Sequence, residues 1–175
     1  MDAFNKTITT ERLTLDVIRE CDFDSLMFII KHPEVSRTYM VPNFQTKEEE
    51  QIFFEKIRKL SSLNNRFVYG IFLSEELIGI INDTDINGEE IEVGYALNPM
   101  YFGHGYMTEA LDALIHKLFD CGFTEVFAGA FSDNCSSIRV MQKCGMKKID
   151  KVEKIFYRDK THDCVFYSVK KAIFI

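Results

Sequence analysis

Between residues 67 and 97 the chain carries three successive strand-like stretches with no helical period among them. This run constrains the fold most, because consecutive strands joined by short turns pair antiparallel and need a second layer to bury a face. The first covers about residues 67–73, with Glu75-Glu76 as the turn after it. The second runs from 77 to about 86, and the third from 89 to 97, where Pro99 stops it. Asn87-Gly88 is the strongest hairpin signal in the chain, since both residues tolerate positive φ.

The flanking segments alternate between the two periods. Leu13, Leu15 and Val17 read as a strand. Asp22 then caps a helix through Leu26, Met27 and Ile30 to Lys31, broken by His32-Pro33. Thr46, with Glu49 three residues on, forms a capping box opening a helix that carries Ile52, Phe53, Lys56, Ile57 and Leu60. Beyond Pro99 a Gly-containing turn leads into a helix with Leu111, Leu114, Ile115 and Leu118 on one face, ended by Cys121-Gly122. A strand at 124–131 follows. Ser132-Asp133-Asn134 then starts a helix with Ile138, Met141 and Cys144, closed by Gly145. Strands at 147–157 and 162–169, joined by Arg158-Asp159-Lys160, complete a mixed α+β pattern around one sheet. With 175 residues, 46% apolar, 16 Phe and no linker or repeat, residues 1–175 read as one domain with a packed core.

Several function classes drop out. A net charge of −6 makes nucleic acid a poor partner; it suits a basic acceptor such as an amine, or simply solubility. The start lacks a basic segment followed by a long apolar run, and no apolar stretch approaches the ~20 residues of a membrane span, so neither secretion nor a membrane is expected. Without a signal peptide the glycosylation triplet Asn5-Lys6-Thr7 carries no meaning. Five cysteines, odd in number and without CxxC spacing, fit reduced thiols in a cytoplasmic protein rather than disulfides or zinc. His32, His116 and His162 lack metal spacing. Asp83-Thr84-Asp85-Ile86-Asn87-Gly88 matches half a calcium loop, but its twelfth position is Gly94 and its flanks are strands. No metal is expected.

Gly103-His104-Gly105 sits between a strand and a helix. Two glycines let a backbone approach an anion closely, and the helix start adds unpaired N–H groups and the positive end of its dipole. Thr108 stands where a dinucleotide fingerprint needs Gly, and no Gly-Lys-Ser/Thr ending marks a P-loop. The pattern is a phosphate site or a plain tight turn. His104 reads either as a cation assisting phosphate or as an exposed loop residue. Alternation in the preceding strand puts Ile91, Val93, Tyr95 and Leu97 on one face. Glu90, Glu92, Gly94 and Ala96 share the other, a carboxylate face with small residues beside it.

The stretch 92–110, Glu92-Val93-Gly94-Tyr95-Ala96-Leu97 through Tyr101-Phe102-Gly103-His104-Gly105-Tyr106-Met107 to Ala110, resembles the cofactor motif of the GNAT superfamily of N-acetyltransferases. Asn134-Cys135-Ser136-Ser137 with Lys143-Cys144-Gly145-Met146 is similar to that group's Asn-x-x-Ser…Lys-x-Gly-Phe stretch, and Thr10-Glu11-Arg12-Leu13-Thr14-Leu15 resembles the first strand of its ribosomal-protein N-terminal branch. The resemblance implies an α/β sandwich: a mixed, mostly antiparallel sheet with helices on both faces. It implies acetyl-CoA as co-substrate, bound by Ala96, Leu97, Phe102, Gly103, His104, Gly105, Tyr106, Met107, Asn134 and Ser137, and no metal. The acceptor it implies is an amine, at a protein N-terminus or on a small molecule, entering between the first helices and the last hairpin; Phe28, Tyr39 and Phe44 are candidates to line that side, with core packing as the other use of each Phe. Many relatives dimerise, which leaves a homodimer open.

Acetyl transfer needs a neutral amine, a polarised carbonyl and a proton for the thiolate. An α-amine titrates near ~8 and a lysine near ~10.4, so a base helps at neutral pH. The resemblance makes Glu92 that base, against a solvated strand carboxylate. Met100 replaces the family's frequent Arg or Gln, Met141 its tyrosine acid, and Met146 its Phe. Ser137 becomes the candidate donor to the cofactor sulfur, against a serine bonding its own helix. Asn134 binds the pantetheine arm, caps the helix, or does both. A backbone N–H near Leu97 is the implied oxyanion donor. Binding of CoA without turnover, as a sensor, is the alternative from another class.

Overall fold

A computed structural model describes residues 7–173; Asn5 and Lys6 of the glycosylation triplet, and the segment read for a signal, lie outside them. The elements are β1 (Ile8–Thr9), β2 (Leu13–Asp16), α1 (Phe23–Lys31), α2 (Pro33–Ser36), α3 (Lys47–Ser61), β3 (Tyr69–Leu73), β4 (Glu76–Asn87) and β5 (Glu90–Leu97). They continue with α4 (Tyr106–Asp120), β6 (Glu125–Phe131), α5 (Cys135–Lys143), β7 (Lys147–Tyr157) and β8 (Lys160–Lys170). Hydrogen-bonded neighbours follow the order β1-β2-β3-β4-β5-β6-β8-β7, with β5 and β6 parallel and the pairs β1/β2, β2/β3, β3/β4, β6/β8 and β7/β8 antiparallel. The expected mixed, mostly antiparallel sheet is therefore present.

The chain divides into two compact units. One contains the described residues up to Asn82 together with Tyr95–Tyr106; the other contains Asp83–Gly94 and the described residues from Met107 onward. In the first, Leu26, Ile29 and Ile30 of α1 and Phe54 of α3 bury against Phe72, Leu77, Ile80 and Ala96. Removing each of the Leu, Ile and Phe side chains from water contributes about 1.5–3 kcal/mol. The α3 face is rotated from the one its sequence suggested: Ile52 is 64% exposed and Phe54 is 0%. Phe53, Ile57 and Leu60 flank Phe54, and Glu50 turns inward to pair with Lys31 and Lys47. In the second unit Leu111, Leu114, Ile115 and Leu118 of α4 are fully buried, as their spacing required. Phe131, Cys164 and Phe166 form a smaller cluster against Ile149, Ile155 and Tyr157.

Several local expectations shift. Asp22 precedes α1 without capping it. Its carboxylate instead accepts the Arg19 backbone N–H (2.7 Å) and the Arg19 guanidinium (3.0 and 3.1 Å), a stronger pairing than a cap because both ends are charged. Thr46 Oγ1 accepts the Glu49 N–H at 3.2 Å, but Glu49 returns to Gln45 N rather than to Thr46 N, so the box closes one residue early. The β4–β5 turn is Gly88-Glu89; Asn87 ends the strand, and Gly88 alone takes positive φ (61°). The hairpin with two positive-φ residues is Arg158-Asp159 (49° and 60°), with Lys160 already in β8. The half calcium loop is strand up to Asn87. Among the described residues no helix is long and apolar enough to cross a membrane.

Candidate active site

Two regions carry the predicted residues, one in each unit. The first begins where β5 stops. Asn98 N donates to Ile78 O (2.8 Å), and its side-chain oxygen accepts Met100 N (3.0 Å), capping one 3-10 turn over Pro99–Tyr101. Proline cannot extend the ladder, so the chain leaves the sheet here. Phe102, Gly103, His104 and Gly105 are exposed, and α4 starts at Tyr106. Gly103 and Gly105 have φ of 81° and 80°. A Cβ on Gly103 would meet nothing within 4 Å. The glycines are thus required by backbone conformation rather than by crowding. Turns of this kind, followed by a helix whose first N–H groups lack intrahelical acceptors, make an anion-binding concavity.

Sequence reasoning did not single out a third component. Arg12, at the foot of β2, donates Nη1–H to the carbonyl of His104 at 3.0 Å, across 92 residues of sequence. Its guanidinium lies 4.6 Å from the centre of the Tyr106 ring. Tyr106 in turn stands near His104 (5.7 Å) and Tyr101 (6.2 Å). No local pattern encodes such a contact; the only sequence trace is that Arg12 sits in the stretch already matched for its strand. Ala96 and Leu97 are buried, with the Ala96 methyl inside the first unit's core. Gly79 carries no Cβ because one would come within 2.7 Å of the Ala96 carbonyl. Ala96 therefore has main chain, not side chain, to present to a ligand. Tyr39 donates to Asn82 Oδ1 (2.7 Å), Phe44 packs edge-on to Phe53, and Phe28 is exposed beside His32.

The second region centres on Glu92. It is half-buried, and its Oε1 accepts Thr84 Oγ1–H at 3.1 Å. Burial pushes its carboxyl above the usual range; the Thr84 bond and the Lys151 charge pull it back, while Glu153 and Asp85 add to the rise. Lys151 belongs to an irregular part of β7 between Lys148 and Val152, pairs with Glu153 at 3.0 Å and lies 3.9 Å over the Phe166 ring. The parallel β5–β6 ladder runs from Glu90–Glu125 to Val93–Ala128, whereas β6 continues against β8 through Phe131.

Asn134 is the N-cap of α5: its Oδ1 accepts Ser137 N at 3.2 Å. The capping reading is thus met, and the remaining amide N–H groups are the part it could turn to a ligand. Ser137 occupies the first turn of α5, half-buried. Met107 is buried in the α4 face, Met141 in α5 and Met146 in the link between α5 and β7, so these three pack rather than react. Cys144 donates to Thr108 O at 3.4 Å and is pushed up to about 12 by burial; Cys164 is pushed up to about 11. Both are poor nucleophiles.

Residues 12–147 match the family model described as acetyltransferase (GNAT) domain. The chain is 25% identical over 170 residues to the uncharacterized N-acetyltransferase YoaA of Bacillus subtilis, covering 94% of this chain and 96% of that one. A GNAT-family acetyltransferase from Bacillus anthracis has the same fold, with a TM-score of 0.81 at 23% identity and coverage of 95% and 99%. RimL, a ribosomal L7/L12 alpha-N-protein acetyltransferase solved with coenzyme A, is similar in fold with a TM-score of 0.82 at 20% identity and coverage of 94% and 97%.

Proposed function

Because the chain belongs to the GNAT acetyltransferase family, we propose that it transfers the acetyl group of acetyl-CoA to a primary amine, with a protein N-terminal α-amine as the acceptor. The observation carrying the cofactor half of this reading is the exposed turn with positive φ at Gly103 and Gly105, directly ahead of α4. Its backbone donors suit a pyrophosphate, and the family's cofactor carries one. The first-strand stretch Thr10–Leu15, which resembles that of the ribosomal-protein N-terminal branch, supports the α-amine as acceptor.

In this mechanism Glu92, directly or through a water, takes a proton from the amine as its nitrogen attacks the thioester carbonyl carbon. Burial raises its pKa, which strengthens it as a base. The N–H near Leu97 donates to the oxyanion that forms. The C–S bond then breaks, with Ser137 Oγ–H hydrogen-bonded to the departing sulfur; the sulfur leaves as the thiolate and takes a proton from water, while Glu92 returns the amine's proton to solvent. The amide product keeps the acetyl group.

The test is CoA thiol release with a panel of N-terminal peptides, polyamines, aminoglycosides and amino acids. Release dependent on the α-amine of peptides supports the reading. Release only with small amines replaces the acceptor, and tight CoA binding with no release for any amine converts the enzyme into a sensor.

A further inference from the structure

Resting on the acetyl-CoA reading, we infer that Arg12 is a positioning residue that sets which way the His104–Gly105 peptide faces, and so aims the Gly105 N–H at the cofactor's phosphates. A trans peptide points its C=O and the next residue's N–H in opposite directions. No cis bond is present among the described residues. With the His104 carbonyl held by Arg12 Nη1 at 3.0 Å, the Gly105 N–H faces away from the guanidinium.

That choice has to be imposed from outside the turn. Gly105 permits either sign of φ, so the peptide joining His104 to it can turn over at little steric cost on the glycine side. Turned over, it would present a carbonyl oxygen to a phosphate and repel it. Met100, 76% exposed, occupies the position before the turn and supplies no side-chain hydrogen-bond donor there. Arg12 is well placed to act as a clamp. Its main chain is anchored because Leu13, next in the chain, is buried and paired with Leu73. Its planar head is fixed a second time by the Tyr106 ring. Its other terminal nitrogen, Nη2, stands 3.6 Å from where a Gly105 Cβ would be, within van der Waals reach of the glycine it orients. A guanidinium held at two points loses little freedom when a ligand arrives.

The readout is phosphate-specific affinity, not activity alone. Dissociation constants for CoA and for phosphate-free pantetheine are measured by calorimetry on wild type, Arg12→Ala and Arg12→Lys, with thermal midpoints as a fold control. Arg12→Ala is expected to weaken CoA about tenfold, the scale of one charge-assisted hydrogen bond. Pantetheine should stay within about twofold of wild type, on the same scale. Arg12→Lys, still able to reach the carbonyl, should recover most of the loss. In turnover the KM for acetyl-CoA rises and kcat at saturation holds. Undiminished CoA binding in Arg12→Ala, or equal loss for both ligands, overturns the inference. If Arg12→Ala does not fold, the same criteria apply to a smaller, CoA-confined loss in Arg12→Lys. A wild type that binds CoA no better than pantetheine overturns the phosphate reading of the turn itself, and with it the role of Arg12.

Discussion

The turn at residues 98–106 and the strand around Glu92 do different work with different parts of the chain. The turn is exposed and made of main chain: two positive-φ glycines, a proline and a capped 3-10 turn fix its path, and an arginine grips its carbonyl. The Glu92 region depends on one side chain, half-buried, with its carboxyl raised by desolvation. The lesson is a division of labour. Backbone geometry suits recognition of an anion shared by every turnover, whereas chemistry needs a titratable group whose proton affinity is tuned by its neighbours.

The largest expected effect that sharpens this contrast is Glu92→Gln. It should lower kcat by roughly 10²–10⁴, the usual worth of a general base, with little change in KM for acetyl-CoA. Steady-state kinetics on both substrates checks it, and a rise in KM with unchanged kcat would break the division. Next comes Gly105→Val. A β-branched residue at φ of 80° costs several times the ~1–2 kcal/mol of an ordinary left-handed residue, so CoA affinity should fall by about tenfold or more while kcat at saturation is retained.

Glu92 also makes a smaller prediction about stability. Its folded pKa lies above the unfolded value, so the folded state holds this proton more tightly. That contribution is complete below the unfolded pKa of about 4.3 and is lost as pH rises through the folded one. Glu92→Gln should therefore unfold at a higher temperature than wild type at pH 7 and converge with it below about pH 4, as scanning calorimetry would show. The acid limb of kcat against pH should lie above that of an ordinary glutamate and vanish in the variant. The smallest effect belongs to His104→Ala, which should leave CoA affinity within about twofold, because the residue contributes a peptide rather than an imidazole.

What could be read from the sequence was local. Gly122 and Gly145 closed α4 and α5 with positive φ, Asn134 capped α5, and the face of α4 followed from its spacing. Each depends on residues within a few positions of one another. The two-residue β1 has too few side chains for a period to show. Asp22 satisfied every local rule for a cap and was taken by Arg19 instead, and the turn expected at Asn87-Gly88 moved one residue on. In each case a contact or a strand register outweighed a propensity worth about 1 kcal/mol. The positive φ of Gly103 and Gly105 could be read because glycine is the residue type that conformation favours, and Glu92 could be proposed because a carboxylate is the residue type a base needs. Arg12 could not, because its role exists only after residues 92 apart in sequence have met.

The central claim is that the cofactor's phosphates are held by the backbone of the turn. It is tested most directly by amide NMR on isotope-labelled protein titrated with CoA and, separately, with pantetheine. The account predicts that CoA shifts the amide resonances of Gly103, His104, Gly105 and Tyr106 strongly, and that pantetheine leaves them nearly where they were. CoA bound tightly with those four amides unmoved would contradict it.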